Sequence, residues 1–320
     1  MSDGKPQVKV LIVGFSVTAE TPGYVGAAAI DLGDAFDIHK VGIGGIHPHD
    51  LKHLFASIVD EYQPDLIVLE LSTAGFRQLN LGEVDHEETI NIIFGVCGKL
   101  RIKVAFLDLP RNDVDYENDW LYTMHKRICQ KHGLAIVQIE NSNRLLRDFV
   151  HPSEEGIKVY SDALQALLVD CSKRTPLIFD TENSLQYDAL LVANLVRSQV
   201  KVRSFQRSGY NVKCVEILSE NLVHFDFEEP VLVCGITFLA GPFSGFIRLN
   251  AGDYEKVLNC YDQYCYYERF VIKRFDPFTC SSISLEQLPE IPQIKLLKGD
   301  ANLHERKGYV VHILTVKKDI

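Results

Sequence analysis

The first 170 residues alternate between short apolar runs and stretches with helical periodicity, and this alternation restricts the fold more than any other feature. The predicted strands are residues 8–13, 39–43, 65–71, 104–109 and 135–139. The predicted helices are residues 24–32, 50–62, 87–99, 120–132 and 152–168. Near-continuous apolar strands between helices indicate a parallel sheet covered on both faces. We therefore predict an α/β domain with a flavodoxin-like, doubly wound sheet over residues 1–172.

The pattern changes near residues 172–176, after which short strand-like segments are separated by turn signals. These segments are residues 212–218, 222–227, 231–238, 245–249, 270–275 and 309–316. They predict an antiparallel β-sandwich of jelly-roll type over residues 173–320. The uncharged residues 230–247 approach transmembrane length but contain glycines and a proline. Two strands joined by a turn over 240–245 are therefore predicted instead of a membrane span.

Charge and cysteine usage restrict the classes of partner and compartment. The net charge is -10 and the pI about 5.6, which argues against a nucleic-acid partner. Residues 1–7 are polar and do not resemble a signal peptide. The eight cysteines are scattered without a Cys-x-x-Cys pair, so reduced thiols in a cytoplasmic protein are predicted.

Candidate catalytic groups follow the first predicted strand and precede the last predicted helix. Ser16 comes directly after the strand, and a serine hydroxyl needs a base within hydrogen-bond reach to act as a nucleophile. Asp148 and His151 are three residues apart before Pro152. His151 has the chemistry of that base, with Asp148 orienting its ring. The structural alternatives are a helix-capping serine, a surface aspartate and a histidine that only precedes a helix.

In order and spacing these segments resemble the SGNH (GDSL) hydrolase family over about residues 8–170. Gly14-Phe15-Ser16 corresponds to the family's Gly-Asp-Ser block. Gly45 corresponds to its oxyanion-hole glycine, and Asp148 and His151 to its Asp-x-x-His block. The resemblance implies a triad of Ser16, Asp148 and His151. It also implies that the backbone N–H groups of Ser16 and Gly45 bind the oxyanion.

The third block of the family, Gly-x-Asn-Asp, is where this sequence departs from the resemblance. Ala74 stands at the position of the asparagine, and such an oxyanion side chain is worth about 10²–10³ in rate. Ser72, Thr73, a backbone N–H or Asn112 are candidate substitutes. This departure is compatible with a slow reaction, with a different acyl acceptor or with the absence of catalysis.

Polar residues near these blocks have further candidate roles. His47, His49 and His53 have spacing compatible with a zinc site, but a polar loop entering a helix is the preferred interpretation, and no metal is predicted. His47 or His49 is a candidate substrate contact. Glu70 is predicted to be half-buried and to hold loops by hydrogen bonds. Residues 77–88 are predicted to form a polar loop.

The resemblance implies a serine esterase that removes O-acyl groups, chiefly O-acetyl, from a carbohydrate through an acyl-serine intermediate, without a cofactor. The alternatives are a sugar O-acyltransferase with the same triad and a non-catalytic, SGNH-like protein that binds a glycan or partner. A flavodoxin-like nucleotide binder is disfavoured because no phosphate-binding glycine motif is present. The expected partner is an acylated carbohydrate or another ester, with neither nucleic acid nor membrane, and a homo-oligomer is left open.

Overall fold

The computed structural model describes residues 7–140, 142, 144–179, 186–196, 199–219, 221–300 and 305–317. The chain divides into two compact units. The α/β unit contains Met1–Glu182 and Arg207–Tyr210, and the β unit contains Asn183–Gln206 and Asn211–Ile320. None of the helices in these described ranges is both long and apolar enough to cross a membrane.

The α/β unit contains a five-stranded sheet in the order β2-β1-β3-β4-β5. All neighbouring strands are parallel. The strands are β1 (Val8–Gly14), β2 (Phe36–Gly42), β3 (Leu66–Leu69), β4 (Lys103–Asp108) and β5 (Ala135–Gln138). This order is the flavodoxin-like one, and it brings the carboxyl ends of all five strands to one edge. The predicted fold class is confirmed.

Helices connect these strands and cover the sheet. They are α1 (Ser16–Ala19), α2 (Tyr24–Leu32), α3 (Pro48–Tyr62), α4 (Glu83–Leu100), α5 (Trp120–His132) and α6 (Glu154–Ser172), with 3-10 turns at Gly33–Ala35 and Gly75–Leu79. One core cluster joins strand residues such as Ile12 and Val68 to Tyr24 of α2 and Leu164 of α6. Burial of these apolar side chains is the main force that holds the layers together.

Helix α4 begins earlier than the sequence pattern predicts, so the second half of the predicted polar loop over 77–88 is helical. The carboxylate of Asp85 accepts a hydrogen bond from the backbone N–H of Gly82, which satisfies a free donor at the helix start. His86 and Thr89 of this first part are buried. The charged residues that suggested a solvated loop lie on the exposed side of the helix.

The β unit consists of one antiparallel sheet of eight strands in the described residues, with a short helix, α7 (Val192–Leu195). The strand order is β11-β10-β12-β9-β13-β8-β7, and β6 also pairs with β13. The strands are β6 (Gln186–Leu191), β7 (Val202–Arg207), β8 (Tyr210–Leu218), β9 (Val223–Ala240), β10 (Phe246–Ala251), β11 (Tyr254–Asn259), β12 (Arg269–Gln287) and β13 (Lys307–Lys317). The predicted β-rich second half is confirmed.

Strand β9 replaces two predicted strands, over 222–227 and 231–238, with a single long one. It pairs with β12, and the register shifts between Cys280 and Ser282. Pro230 lies in the stretch of β9 that faces this irregularity, so its missing N–H removes no hydrogen bond from a regular ladder. The turn predicted over 240–245 is confirmed, since β9 ends at Ala240 and β10 begins at Phe246.

Candidate active site

Ser16 is the first residue of α1 and follows β1 at the carboxyl edge of the parallel sheet. Its side chain is partly exposed. The tight turn before it depends on Gly14. A Cβ on Gly14 would lie 2.2 Å from Thr18 Oγ1 and 2.9 Å from Glu70 Oε2, a steric clash. The glycine therefore allows the chain to pass close to these buried polar groups and to place Ser16 at the sheet edge.

The glycine loop after β2 lies beside Ser16. A Cβ built on Gly44 would be 3.6 Å from Ser16 Cβ and 3.7 Å from its Cα, so Gly44 directly neighbours the serine. Gly45, identified from the sequence, is the next residue; it is exposed and has a left-handed φ of 89°. This backbone conformation favours glycine. The oxyanion role of Gly45 stays a prediction.

Asp148 and His151 are joined by hydrogen bonds in one tight loop. His151 Nδ1 lies 2.9 Å from Asp148 Oδ2 and 3.2 Å from Oδ1. Asp148 Oδ1 also accepts the backbone N–H groups of Val150, at 2.9 Å, and of His151, at 2.7 Å. Burial opposes ionisation of Asp148, but these hydrogen bonds outweigh it and lower its pKa. Because the carboxylate is hydrogen-bonded to Nδ1 of the histidine, Nε2 is the ring nitrogen that can transfer a proton.

An ion pair ties this loop to the helix that begins with Ser16. Arg147 forms a two-point ion pair with Glu20, with Nη1 3.3 Å from Oε2 and Nη2 bonded to Oε1. Glu20 is the residue that follows α1, and the backbone N–H of Arg147 donates to the carbonyl of His151 at 2.9 Å. The structure thereby connects the Asp148–His151 loop to α1. The sequence pattern did not identify Glu20 or Arg147.

Asn112, in the loop after β4, is also hydrogen-bonded to the Asp148–His151 loop. Its backbone N–H donates to Phe149 O at 2.9 Å, and its Nδ2 donates to Asp148 O at 3.4 Å. Asn112 is one of the substitute oxyanion donors that the sequence suggests. In the structure its hydrogen bonds position the main chain next to Asp148.

The third block has its hydroxyl groups engaged within the protein. Ser72 Oγ donates to Leu109 O at 2.9 Å and accepts from Leu109 N at 2.7 Å. Thr73 Oγ1 donates to Glu70 Oε2 at 3.0 Å. Ala74, which replaces the family's asparagine, is buried. The predicted oxyanion or substrate contacts of Ser72 and Thr73 stay predictions, and the structure assigns both hydroxyls to bonds that connect loops.

Glu70 is fully buried, in contrast to the half-buried position expected from the sequence. Its carboxylate accepts hydrogen bonds from Thr18 Oγ1 at 3.1 Å and from the backbone N–H of Thr73 at 3.1 Å. Tyr24 in turn contacts Thr18 Oγ1 at 2.9 Å. Burial raises the pKa of Glu70 to about 7, partly opposed by hydrogen bonds from Thr73, Thr18 and the N–H of Phe15. These contacts link the third block to the helix that carries the serine.

The three histidines considered as metal ligands lie at the start of α3. The rings of His47 and His49 stack with centroids 5.6 Å apart, while the backbone N–H of His47 donates to Asp50 Oδ2 at 2.8 Å. His49 and His53 are buried. Across the part of the chain that the structure describes, no group of three or more His, Cys, Asp or Glu side chains is arranged to hold a metal ion. The substrate contact of His47 or His49 stays a prediction.

A buried chain of Asp108, His125 and His86 was missed at the sequence level. Asp108 Oδ1 lies 2.7 Å from His125 Nδ1, and His125 Nε2 lies 2.8 Å from His86 Nε2. All three side chains are buried. They connect the end of β4 to α5 and α4. The only sequence signal was the apolar face of α5, on which His125 falls.

Comparisons with known proteins identify a fold. No protein-family model and no curated protein matches this chain. A two-domain esterase (CEX) active on acetylated mannans, crystallised with mannopentaose, matches with a TM-score of 0.63 and 12% identity, over 98% of this chain and 92% of that chain. The chain shares the fold of a two-domain esterase. A second structure of this esterase gives a TM-score of 0.61 and 13% identity over the same shares.

A lipolytic protein assigned to the G-D-S-L family, from Desulfitobacterium hafniense DCB-2, is also similar. It matches with a TM-score of 0.45 and 14% identity, over 51% of this chain and 100% of that chain. The predicted α/β domain followed by an additional β-rich domain is confirmed at the level of the fold.

Proposed function

We propose that this protein is an SGNH-type serine esterase that removes O-acyl groups, with O-acetyl as the first candidate, from a carbohydrate. The observation that carries the proposal is the Asp148–His151 hydrogen bond, in a loop joined by the Glu20–Arg147 pair to the helix that begins at Ser16. The fold shared with an esterase active on acetylated mannans supports a polysaccharide substrate. Fold alone does not determine function, so the chemistry of these residues is the stronger argument.

In the proposed reaction, Ser16 Oγ attacks the ester carbonyl while His151 Nε2 takes the hydroxyl proton. The resulting oxyanion accepts hydrogen bonds from backbone N–H groups at Ser16 and in the glycine loop. Protonated His151 then gives its proton to the departing sugar oxygen, which leaves an acyl-Ser16. Water, deprotonated by His151, attacks this ester and releases the carboxylic acid and free serine. This sequence of steps needs no cofactor.

A non-catalytic glycan-binding role is the second candidate, and Ala74 is the observation that favours it. Ala74 supplies no side-chain donor, and the neighbouring hydroxyls of Ser72 and Thr73 are bonded within the protein. An O-acyltransferase would use the same triad and differ in excluding water from the acyl-serine.

The test is intact-protein mass spectrometry after treatment with a fluorophosphonate. We expect one adduct on the wild-type protein and none on Ser16→Ala, because only a serine activated by a base attacks this reagent at an appreciable rate. A Ser281→Ala variant, at an exposed position of β12, is the control and should still be labelled. A folded wild-type protein that stays unlabelled would exclude the acyl-serine mechanism and favour the binding role. Acetate release from acetylated mannan would then distinguish hydrolysis from transfer in a labelled protein.

A further inference from the structure

A cavity of about 340 Å³ opens in the α/β unit where β3 and β4 end. It is lined by Gly75, which follows Ala74, and by residues between Arg111 and Trp120 in the loop that joins β4 to α5. Its volume falls in the range of about 300–1,000 Å³ for small-molecule sites. None of the steps proposed above assigns a role to this cavity.

Trp120 supplies an aromatic wall and is the only tryptophan of the chain. Its ring is held edge-on by Phe76, with centroids 5.9 Å apart, and by His86, with centroids 5.8 Å apart. Phe76 and His86 stack on one another at 5.3 Å. The tryptophan is therefore held in place by the packed rings of Phe76 and His86, and it remains only partly buried. A fixed, accessible aromatic surface suits the apolar face of a sugar ring.

The rest of the lining is polar, with hydrogen-bond donors and acceptors already ordered. Asp113 forms a two-point ion pair with Arg111, at 2.6 and 2.8 Å. Asp115 accepts from Asn118 Nδ2 at 2.7 Å, and this hydrogen bond lowers the pKa of Asp115. Together with Asp119, the lining carries three carboxylates and one guanidinium. Such a lining accepts hydrogen bonds from hydroxyl groups and disfavours phosphates and other anions.

The cavity is connected to both parts of the candidate active site. Arg111 donates from Nη1 to the carbonyl of Thr73. The backbone N–H of Thr73 donates to Glu70, which also accepts from Thr18 in the helix that begins at Ser16. The guanidinium of Arg111 also lies 5.5 Å from the centroid of the Phe149 ring. Phe149 directly follows Asp148. A ligand in the cavity would therefore lie beside the Asp148–His151 loop.

We propose that this cavity is a subsite for a neutral pyranose ring, which stacks on Trp120 and exchanges hydroxyl hydrogen bonds with Asp115 and Asn118. The inference rests on the proposed function, in that the ring held here belongs to the same polysaccharide as the acylated sugar at Ser16. The subsite binds the sugar chain and takes no part in the bond-breaking step. It extends recognition beyond the ester itself.

The experiment uses full-length Ser16→Ala protein and mannopentaose, with xylopentaose and cellopentaose in parallel. Because Trp120 is the only tryptophan, any saturable change in tryptophan emission reports directly on this cavity. Calorimetry then measures the affinity of Trp120→Ala, Trp120→Phe and Asp115→Asn in the same Ser16→Ala background. Tyr264→Ala, which removes an exposed aromatic ring of the β unit, is the matched control.

We expect at least one oligosaccharide to shift the emission, Trp120→Ala to weaken binding tenfold or more, and Trp120→Phe to recover part of the loss. Asp115→Asn should weaken binding several-fold, and Tyr264→Ala should change it less than twofold. Unchanged emission at millimolar sugar, or equal affinity in folded Trp120 variants, would overturn the subsite. Loss of binding in Tyr264→Ala alone would place the glycan on the β unit. Fluorophosphonate labelling of Ser16 is independent of all these outcomes, so it tests the proposed function separately.

Discussion

At the scale of single residues, Asp148 has two distinct sets of contacts that an amide would not reproduce. Oδ1 accepts two backbone N–H groups of its own loop and lies 3.2 Å from His151 Nδ1, and Oδ2 lies closer to that nitrogen, at 2.9 Å. In Asp148→Asn the remaining carbonyl oxygen would keep the backbone bonds. The amide N–H₂ would then face the histidine and favour the wrong tautomer. We expect esterase kcat to fall by about 10⁴ with the fold retained, as for the equivalent change in a Ser-His-Asp triad.

The measurement for Asp148→Asn is hydrolysis of a chromogenic acetate ester, with circular dichroism to verify folding. A matched control is Asp37→Asn, because Asp37 also forms an aspartate–histidine pair, 3.0 Å from His39, and is solvent-exposed. Its activity should stay within about twofold of the wild type. Full activity in Asp148→Asn would remove the carboxylate from the mechanism.

Glu70 predicts a particular dependence of stability on pH. Burial raises its pKa from 4.5 to about 7, so between these values the folded protein holds a proton that the unfolded chain has released. The contribution of Glu70 to the free energy of unfolding therefore decreases as pH rises from about 4.5 to about 7. Glu70→Gln removes this titration. We expect the free energy of unfolding of Glu70→Gln to rise by about 3 kcal/mol relative to that of the wild type between acidic and mildly alkaline pH.

Urea unfolding of both proteins across this pH window measures the effect. Glu87→Gln, at an exposed position of α4, is the control and should follow the wild-type curve. Parallel stability curves for the wild type and Glu70→Gln would mean that Glu70 titrates normally. Its buried hydrogen bonds to Thr18 and Thr73 would then need another explanation.

At the scale of elements, the start of α6 determines where the Asp148–His151 loop can lie. Gly156 in its first turn packs against Leu145 and Pro152, which flank this loop, and a Cβ added there would lie 2.0 Å from the carbonyl oxygen of Leu145. Gly156→Ala must push the helix and loop apart. We expect a loss of about 1–3 kcal/mol in the free energy of unfolding, together with reduced esterase activity, since the displaced loop carries His151.

The comparison for Gly156→Ala is Gly26→Ala in α2, where no atom lies within 4 Å of the added Cβ. Alanine is the better helix former, so Gly26→Ala should stabilise the protein by about 0.5–1 kcal/mol. Urea titrations and ester hydrolysis report both effects. Equal stability of the two variants would show that the loop adapts to the added methyl group.

Elements whose sequences contain their own end signals were predicted best. The predicted helix over 120–132 agrees with α5, which begins after Asp119, whose carboxylate accepts from Leu121 N, and ends before Gly133 at φ 66°. The start of α4 was missed because the polar residues of its first turns suggested a solvated loop, although His86 and Thr89 are buried in the structure. Strands β6, β7 and β11 were not predicted, since edge positions in a sheet lack the strong apolar alternation on which the prediction depended.

At the scale of the whole molecule, the eight cysteines are free and none forms a disulfide. Six are buried, and burial raises the pKa of the Cys171 thiol to about 11. Because thiolates are the reactive form, the native protein should react slowly with a thiol reagent, first at the partly exposed Cys234 and Cys280. Mass spectrometry should count eight modified thiols after denaturation without reductant. A smaller number would reveal a disulfide.

The sequence by itself determined the parts of this protein that depend on neighbours along the chain. Apolar strands alternating with helices predicted the doubly wound α/β unit, and the spacing of Asp148 and His151 placed both in one loop, where they do bond. Only the tertiary structure decided the contacts between distant segments. Glu20 and Arg147 are 127 residues apart, and Trp120 meets Phe76 and His86 only because β3 and β4 are neighbours in the sheet. Such contacts leave no periodic pattern in the chain, since they arise when packed elements bring separate loops to one edge.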